Sequence, residues 1–330
     1  MKIITTEEHL VNPYYSGPQP KVVDVAPYYG LVIQPGLPYF PVANIAATAI
    51  EERVRNMDET GISMQILSLT TEMATLDKDA AVAYSRSAND TMSEIMKKYP
   101  DRFSAFACLP WAYPEEAAEE LERAVNHLGI NGAMICGRPV VEAEFLDNPR
   151  YDPILKVAND HEIPIYVHPG TPAPAVQQAY YAGFNDVLSA RLSVFGYGWH
   201  TEAGIHVLRM ILGGVFEKFP KLQIISGHWG EFVPGFLFRL DQALPQIVTG
   251  LSKSITDTYK EHVYIGPSGI LDYPNLRFAI DVMGEDRIVY SVDFPLISNV
   301  GAAEWLENAP ISEEAKEKIA YKNIAKLMKL

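Results

Sequence analysis

Five side chains of metal-binding type stand at the ends of short apolar runs. They are Glu7 and His9 in Thr-Glu-Glu-His, His168 in Tyr-Val-His-Pro-Gly, His228 in Ser-Gly-His-Trp-Gly-Glu, and Asp293 in Tyr-Ser-Val-Asp-Phe-Pro. Imidazoles and carboxylates together make a mixed nitrogen and oxygen donor set that suits Zn2+, Mn2+ or Fe2+. One histidine at a strand end is more often a satisfied structural group. The recurrence of metal-binding types at four run ends carries the inference. Glu231 falls one helical turn past His228, so the two can form a carboxylate–histidine couple; the alternative is that Glu231 only complements a helix N-terminus. Arg239 lies two turns further on. Three roles fit it: holding a substrate carboxylate, anchoring Glu231, or forming a structural ion pair with an acid such as Asp241. Trp199 and Trp229 can stack on a ring or simply pack.

These residues need elements that aim them at one point. Strand patterns are expected at Ile3–His9, Met64–Leu69, Phe103–Pro110, Gly132–Gly137, Pro164–His168, Leu222–Gly227, His262–Gly266 and Arg287–Val292. Helical patterns alternate with them at Ala46–Thr60, Lys78–Lys98, Pro114–Leu128, Tyr151–His161, Glu202–Phe219, Glu231–Gly250 and Asn275–Met283, with a helical tail from Glu304 to Leu330. Gly61 and Gly129 stand where left-handed helix caps are needed. Eight strand–helix units predict a closed (β/α)8 TIM barrel, which commonly runs to about 250 residues or more. A doubly wound sheet is disfavoured because no G-x-G-x-x-G turn follows the first strand. In a barrel the strand ends line the C-terminal mouth, where Glu7 and His9, two residues apart, share one side of the first strand. No linker composition interrupts residues 1–330, so one domain is expected. The segment 13–41 carries seven prolines and six aromatic residues. It is either a surface excursion or a cover over the mouth.

The formal charge of −14 argues against nucleic acid or an anionic membrane as partner. Cys108 and Cys136 fit no metal spacing and read as buried packing residues. There is neither an apolar signal core at the start nor an apolar run of membrane-spanning length, so a cytoplasmic enzyme is the default.

Taken together, Glu7-x-His9, His168-Pro, Gly227-His228-x-Gly230-Glu231 and Asp293-x-Pro295 resemble the amidohydrolase-2 group of the amidohydrolase superfamily. Trp199-x-x-Glu202, His206, Leu208-Arg209 and Gly214-Val215-Phe216-Glu217-x-Phe219-Pro220 narrow the resemblance to its non-oxidative decarboxylases, such as γ-resorcylate, 2,3-dihydroxybenzoate and amino-carboxymuconate-semialdehyde decarboxylase. The resemblance implies that Glu7, His9, His168 and Asp293 hold one divalent ion, Zn2+ or Mn2+. It also implies that His228 is catalytic with Glu231 behind it and that Asp293 delivers a proton. Strand four ends Cys136-Gly137-Arg138, without the lysine that bridges two metals in hydrolytic relatives. The implied activity is decarboxylation of a hydroxybenzoate-like or conjugated acid, by a homo-dimer or homo-tetramer. The alternative is a hydrolase or hydratase of the same superfamily acting on a lactone or unsaturated acid. After Asp293 the run Phe-Pro-Leu-Ile-Ser departs from the aromatic-Pro-Phe-Glu-Asn of resorcylate-type enzymes, and Leu69-Thr70-Thr71-Glu72 replaces their Asn-Ala-Pro.

Overall fold

A computed structural model describes residues 1–10, 15–19, 49–70 and 73–330. Apart from residues 15–19, the proline-rich segment 13–41 lies outside the described residues.

The strands are β1 (Ile4–His9), β2 (Met64–Ser68), β3 (Phe103–Ala105), β4 (Ala107–Cys108), β5 (Ala133–Cys136), β6 (Pro164–His168), β7 (Gln223–Ser226) and β8 (Val263–Ile265). All neighbouring pairs are parallel, in the orders β1-β2-β3 and β4-β5-β6-β7-β8. One strand pattern, 103–110, is split at Phe106. There the chain leaves one partner for the next, as Phe106 N donates to Leu67 O (2.8 Å) and Ala107 N to Gly132 O (2.8 Å). The final pattern, 287–292, forms no regular strand, but it closes the ring. Val289 N donates to Ile265 O (2.9 Å), Thr6 N to Tyr290 O (2.9 Å) and His9 N to Phe294 O (2.7 Å). The result is a closed (β/α)8 barrel.

Its interior is a distinct cluster to which each wall of the barrel contributes: Ile4, Ile66, Phe106, Met134, Tyr166, Ile225 and Val289, with Tyr264 against them. The terminal helix Asn323–Met328 closes the bottom through Ile324, Leu327 and Met328. Filling from below leaves chemistry only at the opposite mouth.

The outer helices used below are α1 (Ile50–Thr60), α2 (Lys78–Lys98), α3 (Pro114–Arg123), α4 (Asp152–Asp160), α5 (Gly198–Leu212), α6 (Leu237–Ala243), α7 (Ile255–His262) and α8 (Tyr273–Met283). Helix α2 matches its expected span; Asp77 caps it by accepting from Ala80 N (2.9 Å). Its buried Asn89 is bonded twice to the backbone of Cys108, which docks the helix on β4. Gly61 (φ 77°) and Gly129 (φ 72°) are the left-handed caps that their positions required. No helix among the described residues is long and apolar enough to cross a membrane.

The expected helix 231–250 does not form as one helix. His228, Trp229, Gly230, Glu231 and Phe232 all have positive φ, a short 3-10 turn follows at Val233–Phe236, and only α6 and Gln246–Thr249 are helical beyond it. Pro234 and Pro245 cannot sit inside a helix without losing a backbone bond, which segments the run.

Candidate active site

Strand β1 delivers two side chains to the mouth by a distortion. Thr5 pairs with Gln65 but Glu8 pairs with Leu67, so β1 carries one extra residue and Glu7 sits at φ 101°. Such a bulge re-aims a side chain, and here it brings Glu7 inward with His9. Glu8 points away, accepting from Gln65 Nε2 (2.9 Å) close to the buried guanidinium of Arg53.

His168 ends β6, His228 follows β7 by two residues, and Asp293 follows the closing segment. Glu7, His9, His168 and Asp293 each offer one donor atom, all within 4.8 Å of one another, and could hold one metal ion. His9 Nε2 lies 3.0 Å from Asp293 Oδ1, and His168 Nε2 lies 3.2 Å from Glu7 Oε1. The opposite face of each ring is engaged. His168 Nδ1–H donates to the Pro169 carbonyl (2.6 Å), and His9 Nδ1 meets Ser68 Oγ (3.0 Å). A carbonyl can only accept, so the proton of neutral His168 is on Nδ1 and a lone pair on Nε2 faces the cluster.

Glu7 repeats the pattern. Its Oε2 accepts from Tyr166 Oη (2.5 Å) and from Ser268 Oγ, while Oε1 is fully buried with no hydrogen-bond partner. Buried acceptors are nearly always satisfied. An orphan carboxylate oxygen, surrounded by imidazole nitrogens and a second carboxylate, is what a cation would satisfy. The donor set therefore fits a divalent ion.

The two carboxylates differ sharply in acidity. Burial and the neighbouring Glu7 charge push Asp293 well above the ordinary aspartate range. Burial also pulls Glu7 upward, but His228, His168 and His9 outweigh it and hold Glu7 well below the usual carboxylate range.

His228 is reached through the left-handed turn. Its Nδ1–H donates to Glu231 Oε1 (2.7 Å), which leaves Nε2 facing Glu7 Oε1 at 4.0 Å. Burial disfavours the imidazolium, yet Glu231 and Glu7 raise its pKa to about 9. Glu231 therefore does meet His228, but across a tight turn and not along a helix. Its second oxygen, Oε2, accepts from His200 Nδ1 (2.7 Å). His200 was invisible to a search of strand ends because it sits on α5; its only sequence signal is adjacency to Trp199.

Arg239 does not anchor Glu231. The break between Glu231 and α6 removes the shared helical face, both Glu231 oxygens are taken by imidazoles, and Arg239 is exposed. Trp229 packs, its indole donating to Ile270 O (2.8 Å). Trp199 lines an open cleft with Phe195, His200, His228, Asp293 and Leu296. Cys108 and Cys136 are buried, and the Cys136 thiol donates to the Pro169 carbonyl (3.3 Å). Arg138, after β5, is occupied structurally: it donates to Thr171 O (2.9 Å) and Val141 O (2.9 Å) and pairs with Glu202.

Residues 45–330 match the amidohydrolase family. The chain is 36% identical over 293 residues to a γ-resorcylate decarboxylase of Polaromonas sp. (strain JS666), covering 85% of this chain and 87% of that protein. A crystal structure of a dihydroxybenzoic acid decarboxylase from Polaromonas sp. JS666, with bound manganese and the inhibitor 2-nitroresorcinol, superposes with a TM-score of 0.85. Its identity to this chain is 32%, with 100% of this chain and 97% of that one covered. The 5-carboxyvanillate decarboxylase of Novosphingobium aromaticivorans, complexed with manganese and 4-hydroxy-3-methoxy-5-nitrobenzoic acid, gives 0.87 at 30% identity, covering 100% and 96%. Barrel, donor cluster and full-length likeness agree: the chain belongs to the amidohydrolase family.

Proposed function

We propose that this chain is a non-oxidative carboxy-lyase that depends on one divalent metal ion and removes CO2 from a hydroxybenzoate-like carboxylic acid. The observation that carries the proposal is the four-donor cluster beside the His228–Glu231 couple, in a chain 36% identical to a γ-resorcylate decarboxylase. Glu7, His9, His168 and Asp293 are the proposed ligands. The ion, when bound, would polarise the substrate carboxylate and an adjacent hydroxyl. We favour manganese over zinc, because half of the donors are hard carboxylate oxygens and two related decarboxylase structures hold manganese.

Decarboxylation leaves an electron pair that needs a destination. A proton delivered to the ring carbon bearing the carboxylate gives a dienone-like intermediate. The C–C bond then breaks, its electron pair restores the ring and CO2 departs, so one proton is consumed per turnover. Asp293 is the proposed proton carrier, because it stands at the donor cluster and also lines the cleft where the ring would rest. His228, whose imidazolium form Glu231 stabilises, is placed to donate through Nε2 to the substrate hydroxyl oxygen and polarise the phenol. The cleft wall of Phe195, Trp199, Ile270 and Leu296 suits an aromatic ring.

The test is CO2 release by manganese-loaded protein from a panel of hydroxybenzoates, with His228→Ala and Asp293→Asn as controls. We expect turnover of at least one member and a loss of roughly 100-fold or more in each variant. Bound metal without CO2 from any member would sink the lyase reading in favour of a water-activating hydrolase or hydratase.

Self-association is also proposed. Its support is the exposure of large apolar side chains beside the mouth, with Phe236 61% and Phe238 78% exposed, more than a soluble monomer commonly shows in one stretch.

A further inference from the structure

We propose that His200 is a positioning residue, which locks the Glu231 carboxylate against His228 and ties that pair to Trp199 on the cleft wall; the role rests on the decarboxylase reading above.

Glu231 is 2% exposed, so its carboxylate is shut off from bulk solvent. Its Oε1 accepts from His228 Nδ1 and its Oε2 from His200 Nδ1, both at 2.7 Å. A carboxylate with a single partner can rotate about its terminal bond and carries an unsatisfied buried oxygen, which costs about 1–3 kcal/mol. Two partners, one per oxygen, fix the plane of the group. The plane in turn fixes the Nδ1–H direction of His228, and with it the aim of Nε2 toward the cluster. His228 sits at φ 45° with no regular helix to hold it, so this side-chain restraint is its main orienting contact.

Chemistry sets the direction of the chain. Glu231 is held below its ordinary range by His228 and His200 despite burial, so it is anionic and can only accept. His200 must therefore carry its proton on Nδ1. Its Nε2 then takes the Trp199 indole N–H at 3.0 Å, with the Phe195 carbonyl 3.1 Å away as the other neighbour. The His200 and His228 rings also meet edge to face, with centroids 4.5 Å apart. Both Trp199 and Phe195 line the cleft. One side chain on α5 thus connects the wall where a ring would rest to the imidazole proposed to act on it.

A second metal held by His200, His228 and Glu231 is the rival use of the same three residues. Their donor separations of 2.7 Å are hydrogen-bond distances. Donors sharing a tetrahedral ion stand about 3.3 Å apart, given bonds of about 2.0 Å.

Two readouts test the proposal. In 15N-histidine spectra of the zinc-loaded protein, His200→Ala should remove one low-field imidazole N–H resonance and shift that of His228, assigned with His228→Gln. An unmoved His228 resonance would overturn the proposal. In turnover, His200→Ala should lower kcat about 30-fold with KM changed by less than about 3-fold. His200→Asn, whose amide replaces the Nδ1–H donor, should recover to within about 3-fold of the parent. Unchanged kcat in His200→Ala, or Asn no better than Ala when both fold and hold metal, would overturn the role. A parent protein that releases no CO2 defeats the decarboxylase reading alone, and the resonance shift still decides the positioning role.

Discussion

Glu7, His228, Glu231, Ser268 and Asp293 all hold positive φ, a region that non-glycine residues enter at a cost of order 1–3 kcal/mol each. Strain gathered on the residues that face one another at the mouth means that the barrel, and not local preference, dictates their directions. Away from the mouth, His206 shows what a purely structural imidazole looks like. It accepts from Leu146 N through Nε2 (3.1 Å) and packs edge-on against Phe145. Burial lowers its pKa to about 4. The native ring is thus neutral where an unfolded chain, with an ordinary value of about 6.5, takes up a proton. Stability is full above about pH 6.5, falls as the pH drops toward 4, and levels off below that. Between pH 7 and pH 5 the loss from this one residue is about 2 kcal/mol. Urea unfolding of the parent and of His206→Gln, which accepts a hydrogen bond but cannot charge, should show that difference in slope. Parallel pH profiles would refute it.

At the scale of elements, the β7 terminus is a tight point beside the donor cluster. A Cβ on Gly227 would lie 2.6 Å from Ser268 Oγ, 2.7 Å from Tyr166 Oη and 3.0 Å from Glu7 Oε2. Those atoms form the clamp on Glu7. Gly227→Ala should therefore loosen manganese binding by about 10-fold or more, read by titration and by metal content after dialysis. Retention equal to the parent would show that the clamp is dispensable. Much of this architecture was legible beforehand. Period-two and period-3.6 patterns placed the strands and α2, and the caps at Gly61 and Gly129 followed from glycine's tolerance of positive φ. Glu7, His9, His168, His228 and Asp293 were singled out because they stand at or just past the ends of strand patterns. What was hidden depended on backbone departures that carry no periodic signature: the extra residue in β1, the split at Phe106 and the left-handed turn after His228. The turn is why Arg239 does not anchor Glu231, and a helix-borne position is why the contact of His200 with Glu231 had no signature.

For the whole molecule, Phe232, Phe236, Phe238 and Ile247 stand exposed within one stretch, the last at 93%. Sedimentation should show a dimer or tetramer, with a shift toward monomer in Phe236→Ser/Phe238→Ser. A parent that sediments as a monomer at micromolar concentration would remove this proposal. The ring itself closes on few bonds, where the segment 288–294 meets β1 and β8. That sparse seam has a consequence for biogenesis. His9 and Asp293 are 284 residues apart in sequence and 3.0 Å apart in space. During synthesis Glu7 and His9 are made long before Asp293, so the full set cannot exist until Asp293 has emerged. An ion held by all four would be acquired only after Asp293 has emerged. It then acts as a clasp between the first strand and the last, so that scarcity of metal in the cell would be felt as slow maturation of new chains before it is felt as lost turnover in old ones.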